Sequence, residues 1–200
     1  NAVACCAMAL CQGIDRETIA TGLKKFQGVE RRFEQIYDRE FKIIDDHFAN
    51  ANNIEASLLS LSSLTYNHLW IVYCIRGSRG TTVNRENVQT LANHLPNLKM
   101  DEIIVTESKG DVTFHDLVLA DERAVFWDEI NQIPLKVTYE EKLNDALRYA
   151  LTKVETGDII LLAGTQGMDK AGRRILELIS ESDPLHKNEI MAAMDGRVCG

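Results

Sequence analysis

The sequence is poor in proline (three residues) and in aromatic side chains (6%), and it lacks any long apolar run. No stretch approaches the ~18 residues that a membrane-crossing helix needs. No basic, apolar, small-residue leader opens the chain. These absences point away from a membrane or export and towards the cytoplasm. Positive charge is also in deficit: 22 Lys and Arg stand against 30 Asp and Glu, a net charge of −8. That balance argues against nucleic acid or an anionic membrane as a general partner, while leaving room for a local phosphate pocket. The five cysteines (Cys5, Cys6, Cys11, Cys74, Cys199) form no C-x-x-C pair, and no histidine is spaced to complete a zinc site. They read as reduced thiols used as small apolar residues, and no metal site is expected. No G-x-x-x-x-G-K-[ST] loop and no G-x-G-x-x-G turn occurs. Chemistry on a nucleotide therefore requires another domain. No Ser/His/Asp or Cys/His set falls on converging loops, so no catalytic residue is assigned.

What is present is an ordinary globular composition, 45% hydrophobic and 26% charged, over 200 residues. That length suits one large domain, or one domain and part of another. The chain opens without Met, inside an Ala-rich helical stretch closed by Gly13, and so reads as a fragment. Asp15 caps a second helix that ends near Gly28. Two such helices cannot enclose a core alone, and residues 1–30 read as the end of a truncated domain. From residue 31 the pattern alternates. Strands are predicted at Phe33–Asp38, Phe41–Asp45, Leu69–Ile75, Glu102–Thr106, Leu135–Thr138 and Asp158–Ala163. Helices are predicted at Ile54–Leu64, Asn84–Leu95, Asp121–Ile130, Tyr139–Val154 and Lys170–Ser180. Apolar strands separated by helices imply an α/β fold: a Rossmann-like, mostly parallel sheet with helices on both faces. It occupies residues 31–183, and residues 184–200 read as a tail.

Such sheets bind ligands beyond the carboxyl ends of their strands, which selects three loops. The first, Asp45-Asp46-His47-Phe48-Ala49-Asn50-Ala51-Asn52-Asn53, carries two carboxylates, a histidine and three asparagines. Asn52 or Asn53 would cap the following helix, whose N-terminal amides suit an anion. The same residues also serve as ordinary turns and caps. The second, Arg76-Gly77-Ser78-Arg79-Gly80-Thr81-Thr82, offers guanidinium forks on a flexible backbone, so Arg76 or Arg79 could orient a phosphate or carboxylate. Either arginine alone is equally well read as a solvated basic turn. The third, Gly164-Thr165-Gln166-Gly167-Met168-Asp169, could form an anion nest or a plain turn with Asp169 as helix cap.

Taken in order, Asn1-Ala2-Val3-Ala4, the Gly22-Leu23 helix, Gly28-Val29-Glu30-Arg31-Arg32-Phe33-Glu34 and Ile44-Asp45-Asp46 through Glu55-Ala56 resemble the C-terminal part of the Mur ligase superfamily. That superfamily includes the muramyl-peptide ligases and folylpolyglutamate synthases. The resemblance implies an ATP-dependent ligase of cell wall biosynthesis or a related path, joining a carboxylate to an amine through an acyl phosphate. ATP and Mg would be bound mainly by the missing central domain. On the family's pattern Arg32, Asp45 and Asp46 are nucleotide contacts. His47 and Asn50 face the active-site cleft, and Arg76, Ser78, Arg79, Thr165 and Gln166 join them on the substrate side. The partners implied are ATP and small carboxylate and amine substrates. Ala49 and Ala51 stand where the family often has His and Pro, and the Asp-Asn-Pro-Arg pattern that recognises diaminopimelate is absent. A divergent ligase of nickel-tetrapyrrole cofactor or pseudomurein biosynthesis is one alternative. A stand-alone nucleotide-binding regulatory module is a second, and an interaction scaffold a third.

Overall fold

The structure is a computed structural model that describes residues 2–26 and 28–198. It begins with two helices, α1 (Ala2–Cys11) and α2 (Arg16–Lys25), packed on each other. Asp15 caps α2 by accepting from the amides of Glu17 and Thr18. Neither helix buries a residue of its own, and Val3, Met8, Leu10, Leu23 and Phe26 remain exposed.

After them come β1 (Glu34–Asp38), β2 (Lys42–Asp46), α3 (Ala51–Ser62), β3 (Leu69–Cys74), α4 (Thr81–His94) and β4 (Glu102–Thr106). The chain continues through α5 (Ala120–Ile130), β5 (Lys136–Glu140), α6 (Leu143–Lys153), β6 (Ile159–Ala163), α7 (Ala171–Ser182) and α8 (Lys187–Met191). The six strands form one sheet in the order β1-β2-β6-β3-β4-β5. All neighbours are parallel except β1, which pairs antiparallel with β2 at the edge. This is the expected α/β, Rossmann-like arrangement.

The winding follows from the handedness of crossovers. From β2 to β3, β3 to β4 and β4 to β5 the chain travels one way across the sheet; from β5 to β6 it travels back. Right-handed crossovers therefore place α3, α4 and α5 on one face and α6 on the other. The cores record this. Ile54, Leu58, Val88, Leu91 and Phe126 pack with Ile71 and Tyr73, whereas Leu143, Leu147, Ile175 and Leu176 pack with Val72 and Ile160. With both faces covered, alternate residues of one strand enter different cores, which is why the strands read as unbroken apolar runs. The helix leaving β6 lies opposite those leaving its neighbours β2 and β3. Crevices thus open at the carboxyl end of β6.

Several boundaries differ from the sequence expectation. Tyr139 and Glu140 belong to β5, pairing with Val105 and Thr106, and α6 starts only at Leu143. Tyr139 lies four residues before Leu143, so the helical period runs into it although the sheet claims it. Asn50, not Asn52 or Asn53, caps α3 through the Asn53 amide (3.1 Å). Residues 184–198, expected as a tail, fold back on the sheet: Ile190 and Met194 are buried in the second core. No helix among the described residues is long and apolar enough to cross a membrane.

Candidate functional site

The crevices beside β6 collect the three loops singled out in the sequence, because β2, β6 and β3 are adjacent. The segment entering the sheet from α2 passes the same edge. His47 N donates to Arg31 O (2.9 Å) and Gly164 N donates to Asp46 O (3.2 Å), so junction and loops are tied main chain to main chain. Among the described residues, the non-glycine positions with left-handed φ are Arg31 (54°), Phe33 (53°), Ser78 (55°) and Ser108 (50°). All four lie at this junction or in loops leaving the carboxyl edge. Strain of this kind persists only where surrounding contacts enforce it, and it gathers at functional sites.

At the junction the contacts centre on Arg31, a position to which the sequence reading gives no role while it gives one to Arg32. The Arg31 side chain is buried. Its Nε donates to Asp45 Oδ1 (3.2 Å), its Nη1 to Asp169, and its Nη2 to the carbonyls of Gly164 and Thr165 (the latter 3.1 Å). Asp45 is wholly buried, and its other oxygen accepts from Arg197 Nη2 (2.8 Å), which also lies 3.3 Å from Glu34. Asp45, expected to contact a nucleotide, is thus an internal ion-pair partner with no face towards solvent. Asp169, expected as a helix cap, is drawn away to Arg31, and Lys170 stands at the N-terminus of α7 instead. The single signal that could have found Arg31 was its place in the Arg31-Arg32 pair; nothing local says which of the two turns inward.

Asp46 is buried as well. Its carboxylate accepts from the amides of Phe33 (2.9 Å) and His47 (3.0 Å) and from the Ser57 hydroxyl. Burial holds its pKa above the ordinary carboxylate value despite these donors. A cleft of about 200 Å³ opens over it, lined by Arg32, Phe33, Asn53, Ala56, Ser57 and Ser60. Arg32 is exposed there, and its side chain has no hydrogen-bond or ion-pair partner among the described residues. His47 is half-buried, with its pKa pushed down from 6.5 to about 4, first by burial and then by the charges of Arg31, Arg32 and Arg76. Its ring is neutral at physiological pH, within electrostatic reach of two unpaired guanidinium groups. Asn50 is exposed and spends its side-chain oxygen on the α3 cap.

The loop after β3 divides its two arginines. Arg79 is engaged with Asp116 (3.2 Å) and with the carbonyls of Ser78 and His115. Arg76 is half-buried, and its guanidinium has no partner among the described residues. The loop's amides are not free for an anion. Glu122, fully buried on α5, accepts from the amides of Ser78 (2.8 Å), Arg79 (2.7 Å), Gly80 (2.6 Å) and Leu119 (2.9 Å). Burial opposes its ionisation, but the four amides outweigh it and lower its pKa. The amides of this loop do converge on an anion, and that anion is the protein's own carboxylate. Ser78 Oγ is likewise turned inward, to Leu117 O (3.0 Å). Gly77 is required by close approach, since a Cβ there would overlap the backbone of Asp116 and Leu117.

At the loop after β6, Thr165 is buried and gives its carbonyl to Arg31, while Gln166 is exposed over the edge. Beneath it, Ser108 donates to Gly167 O (2.6 Å) and Cys74 sits within 3.5 Å of the Ser108 hydroxyl. Burial pushes the Cys74 thiol up to about 12, so it is no nucleophile. Cys5, Cys6 and Cys11 are free thiols on α1, and Cys199 lies outside the described residues. The sequence reading missed the loop from Glu107 to Leu119. There Arg174 and Lys170 hold Asp111, and Phe114 packs at a tilt against the His115 ring (centroids 3.7 Å apart) while remaining exposed. Among the described residues no three His, Cys, Asp or Glu side chains gather to hold a metal ion.

The chain resembles known ligases along most of its length. It is 25% identical over 177 residues to a UDP-N-acetylmuramate–L-alanine ligase of Clostridium acetobutylicum, covering 88% of this chain and 37% of that protein. It is 27% identical over 165 residues to a UDP-N-acetylmuramoyl-L-alanyl-D-glutamate–2,6-diaminopimelate ligase of Geobacillus kaustophilus, covering 82% and 32%. The fold is that of the UDP-N-acetylmuramate–alanine ligase of Thermotoga maritima (TM-score 0.65, 21% identity, 90% of this chain and 37% of that one). It is also that of a folylpolyglutamate synthase of Mycobacterium tuberculosis solved with ADP and AMPPCP (TM-score 0.58, 16% identity, 81% and 35%). The chain spans about a third of the length of these relatives. A family model described as Mur ligase, glutamate ligase domain matches residues 31–166, from the buried Arg31 to the loop after β6. The chain belongs to the Mur ligase superfamily and carries its C-terminal domain.

Proposed function

We propose that this chain is the closing domain of an ATP-dependent ligase that joins a carboxylate to an amine through an acyl phosphate. The observation that supports this most is the pair of unpaired guanidinium groups, Arg32 and Arg76, whose charges both act on the neutral His47 at the sheet's carboxyl edge. Unpaired arginines beside a ligand crevice suit anions, whether phosphate or carboxylate. In this reading Arg32 meets the nucleotide and Arg76 meets an acidic group on the incoming amine or on the acyl phosphate. Asp45 acts from inside by holding Arg31, and Asp46 ties the junction to β2 and α3. Gln166 and Asn50 are exposed at the same edge.

ATP, when bound, supplies the phosphoryl group that activates the carboxylate. The residues present suit one side of such a ligand, with Arg32 unpaired over a small cleft and Arg76 unpaired in the loop after β3, and among the described residues no carboxylate cluster gathers for magnesium. Magnesium and the phosphate cradle then belong to a preceding domain, of which α1 and α2 are the end. Their exposed Val3, Met8, Leu10 and Phe26 are consistent with a face made for that domain.

The test is a phosphate-release screen on the full-length protein, with UDP-N-acetylmuramate conjugates as acyl substrates and L-alanine, D-glutamate and 2,6-diaminopimelate as amines. Loss of one charged hydrogen bond changes affinity roughly ten- to a hundredfold. Arg32→Ala should raise the apparent constant for ATP by that order, and Arg76→Ala the constant for the amine. Phosphate release by residues 1–200 alone, or unchanged kinetics in both variants, overturns the reading.

A further inference from the structure

Behind Arg76 lies a group of polar atoms that the proposed function leaves unexplained. Tyr73 Oη, Asn87 Oδ1 and Nδ2, and Arg76 Nε are all buried and have no hydrogen-bond partner among the described residues. Tyr73 stands on β3 and faces the core under α4, stacked on Phe126 at 5.6 Å. Asn84 and Asn87 are one turn apart on α4, so they share its buried side. Their tasks differ. Asn84 accepts from Arg76 N (3.2 Å) and donates to Arg76 O (2.8 Å), which fixes the main chain. Asn87 lies beside the Tyr73 hydroxyl, but the contact does not have hydrogen-bond geometry.

Folded proteins rarely leave buried polar atoms unsatisfied, and each one is costly. Phe and Leu would fill the same space without that cost. Tyr73 and Arg76 lie three residues apart at the end of β3, and Asn87 lies one turn from the Asn84 that holds the Arg76 main chain; together they match the two to four polar partners that an ordered internal water needs. The guanidinium is buried only at its Nε edge; the terminal nitrogens are equally unpaired but are not among the buried atoms. A fork held by its inner edge presents its outer edge for bidentate contact. We propose that Tyr73 and Asn87 are positioning residues, which hold the Arg76 guanidinium through a shared water so that its outer fork meets the anionic group of the ligand. This rests on the assignment of Arg76 to ligand binding.

The experiment is a ligand-observed NMR titration of the full-length protein with two probes, L-glutamate for a carboxylate and inorganic phosphate for a phosphoryl group. The component lost in Arg76→Ala defines the site, and the stronger probe names its chemistry. Tyr73→Phe and Asn87→Leu are expected to weaken that component about tenfold. Their melting temperatures should stay level or rise, because unpaired polar atoms have been removed. In the Arg76→Ala background Tyr73→Phe should change nothing further. If Arg76→Ala weakens the probe and both inner variants bind like wild type, the positioning role is overturned and the role of Arg76 stands. If Arg76→Ala leaves both probes unaffected, both fall together.

Discussion

Asp45→Asn separates the internal role of this carboxylate from the nucleotide contact that its place in the sequence suggests. Asp45 is 0% exposed, with Arg31 Nε 3.2 Å from one oxygen and Arg197 Nη2 2.8 Å from the other, and each arginine side chain is 4% exposed. The amide keeps the shape but removes the charge, and it turns an NH₂ towards one of two buried cations. Breaking a buried ion pair from one side costs about 3–5 kcal/mol. Here the low end applies, because Arg31 keeps Asp169 and two carbonyls while Arg197 keeps Glu34 at 3.3 Å. For a chain of this size about 1 kcal/mol moves the melting temperature by roughly 2–4 °C. A fall of about 6–12 °C is expected, read by thermal unfolding followed by far-ultraviolet circular dichroism at neutral pH. Arg32→Ala, at an exposed and unpaired position, should move it by less than about 2 °C. An Asp45→Asn protein that melts within about 2 °C of wild type refutes the buried-triad account.

Two further outcomes follow from the same geometry. Glu122→Gln leaves the loop amides of Ser78, Arg79 and Gly80 facing a neutral group that brings its own NH₂. It should cost about 3 kcal/mol, and hydrogen exchange at those three amides should quicken; unchanged protection there counts against the carboxylate as the loop's anchor. His47 binds its proton in the unfolded chain near 6.5 but in the fold only at about 4. The unfolded state therefore holds more protons in that window, and the His47 contribution to stability is present above 6.5 and lost as pH falls to about 4. Urea midpoints measured across that window should drop further in wild type than in His47→Gln, and parallel curves would show that the ring titrates normally.

The sheet was legible because parallel strands buried on both faces leave a local mark. Glu102–Thr106 is β4 residue for residue, and Leu69–Ile75 and Asp158–Ala163 overrun β3 and β6 by one position each. Their carboxyl-end loops were legible for a related reason: polar residues follow an apolar run wherever a buried strand surfaces. The packed segment 184–198 left no such mark. Ile190 sits on the five-residue α8 and Met194 on the turn after it, with Met191 and Ala193 packed only partly against the core, and apolar residues divided between two such short elements do not show a period.

Which side chain of a loop does what was less legible, because it depends on partners far along the chain. Arg31 and Arg32 are adjacent and chemically identical, yet one is buried against Asp45 and Asp169 while the other is exposed. Arg76 and Arg79 divide the same way once Asp116 arrives from 37 positions later. In each pair the engaged arginine fixes the loop and leaves its twin without a partner. The engaged members hold their guanidinium groups in direct ion pairs, where geometry is set and charge is neutralised. The remaining two keep their charge at the carboxyl edge of the sheet, where the described residues supply no anion to pair with them. A cation left unpaired next to a pocket is a cost to the free protein that a bound anion relieves. The sequence offered Arg76 and Arg79 alike as forks for an anion and, through the family resemblance, Arg32 but not Arg31; the fold separates the arginine that builds each loop from the one left without a partner among the described residues.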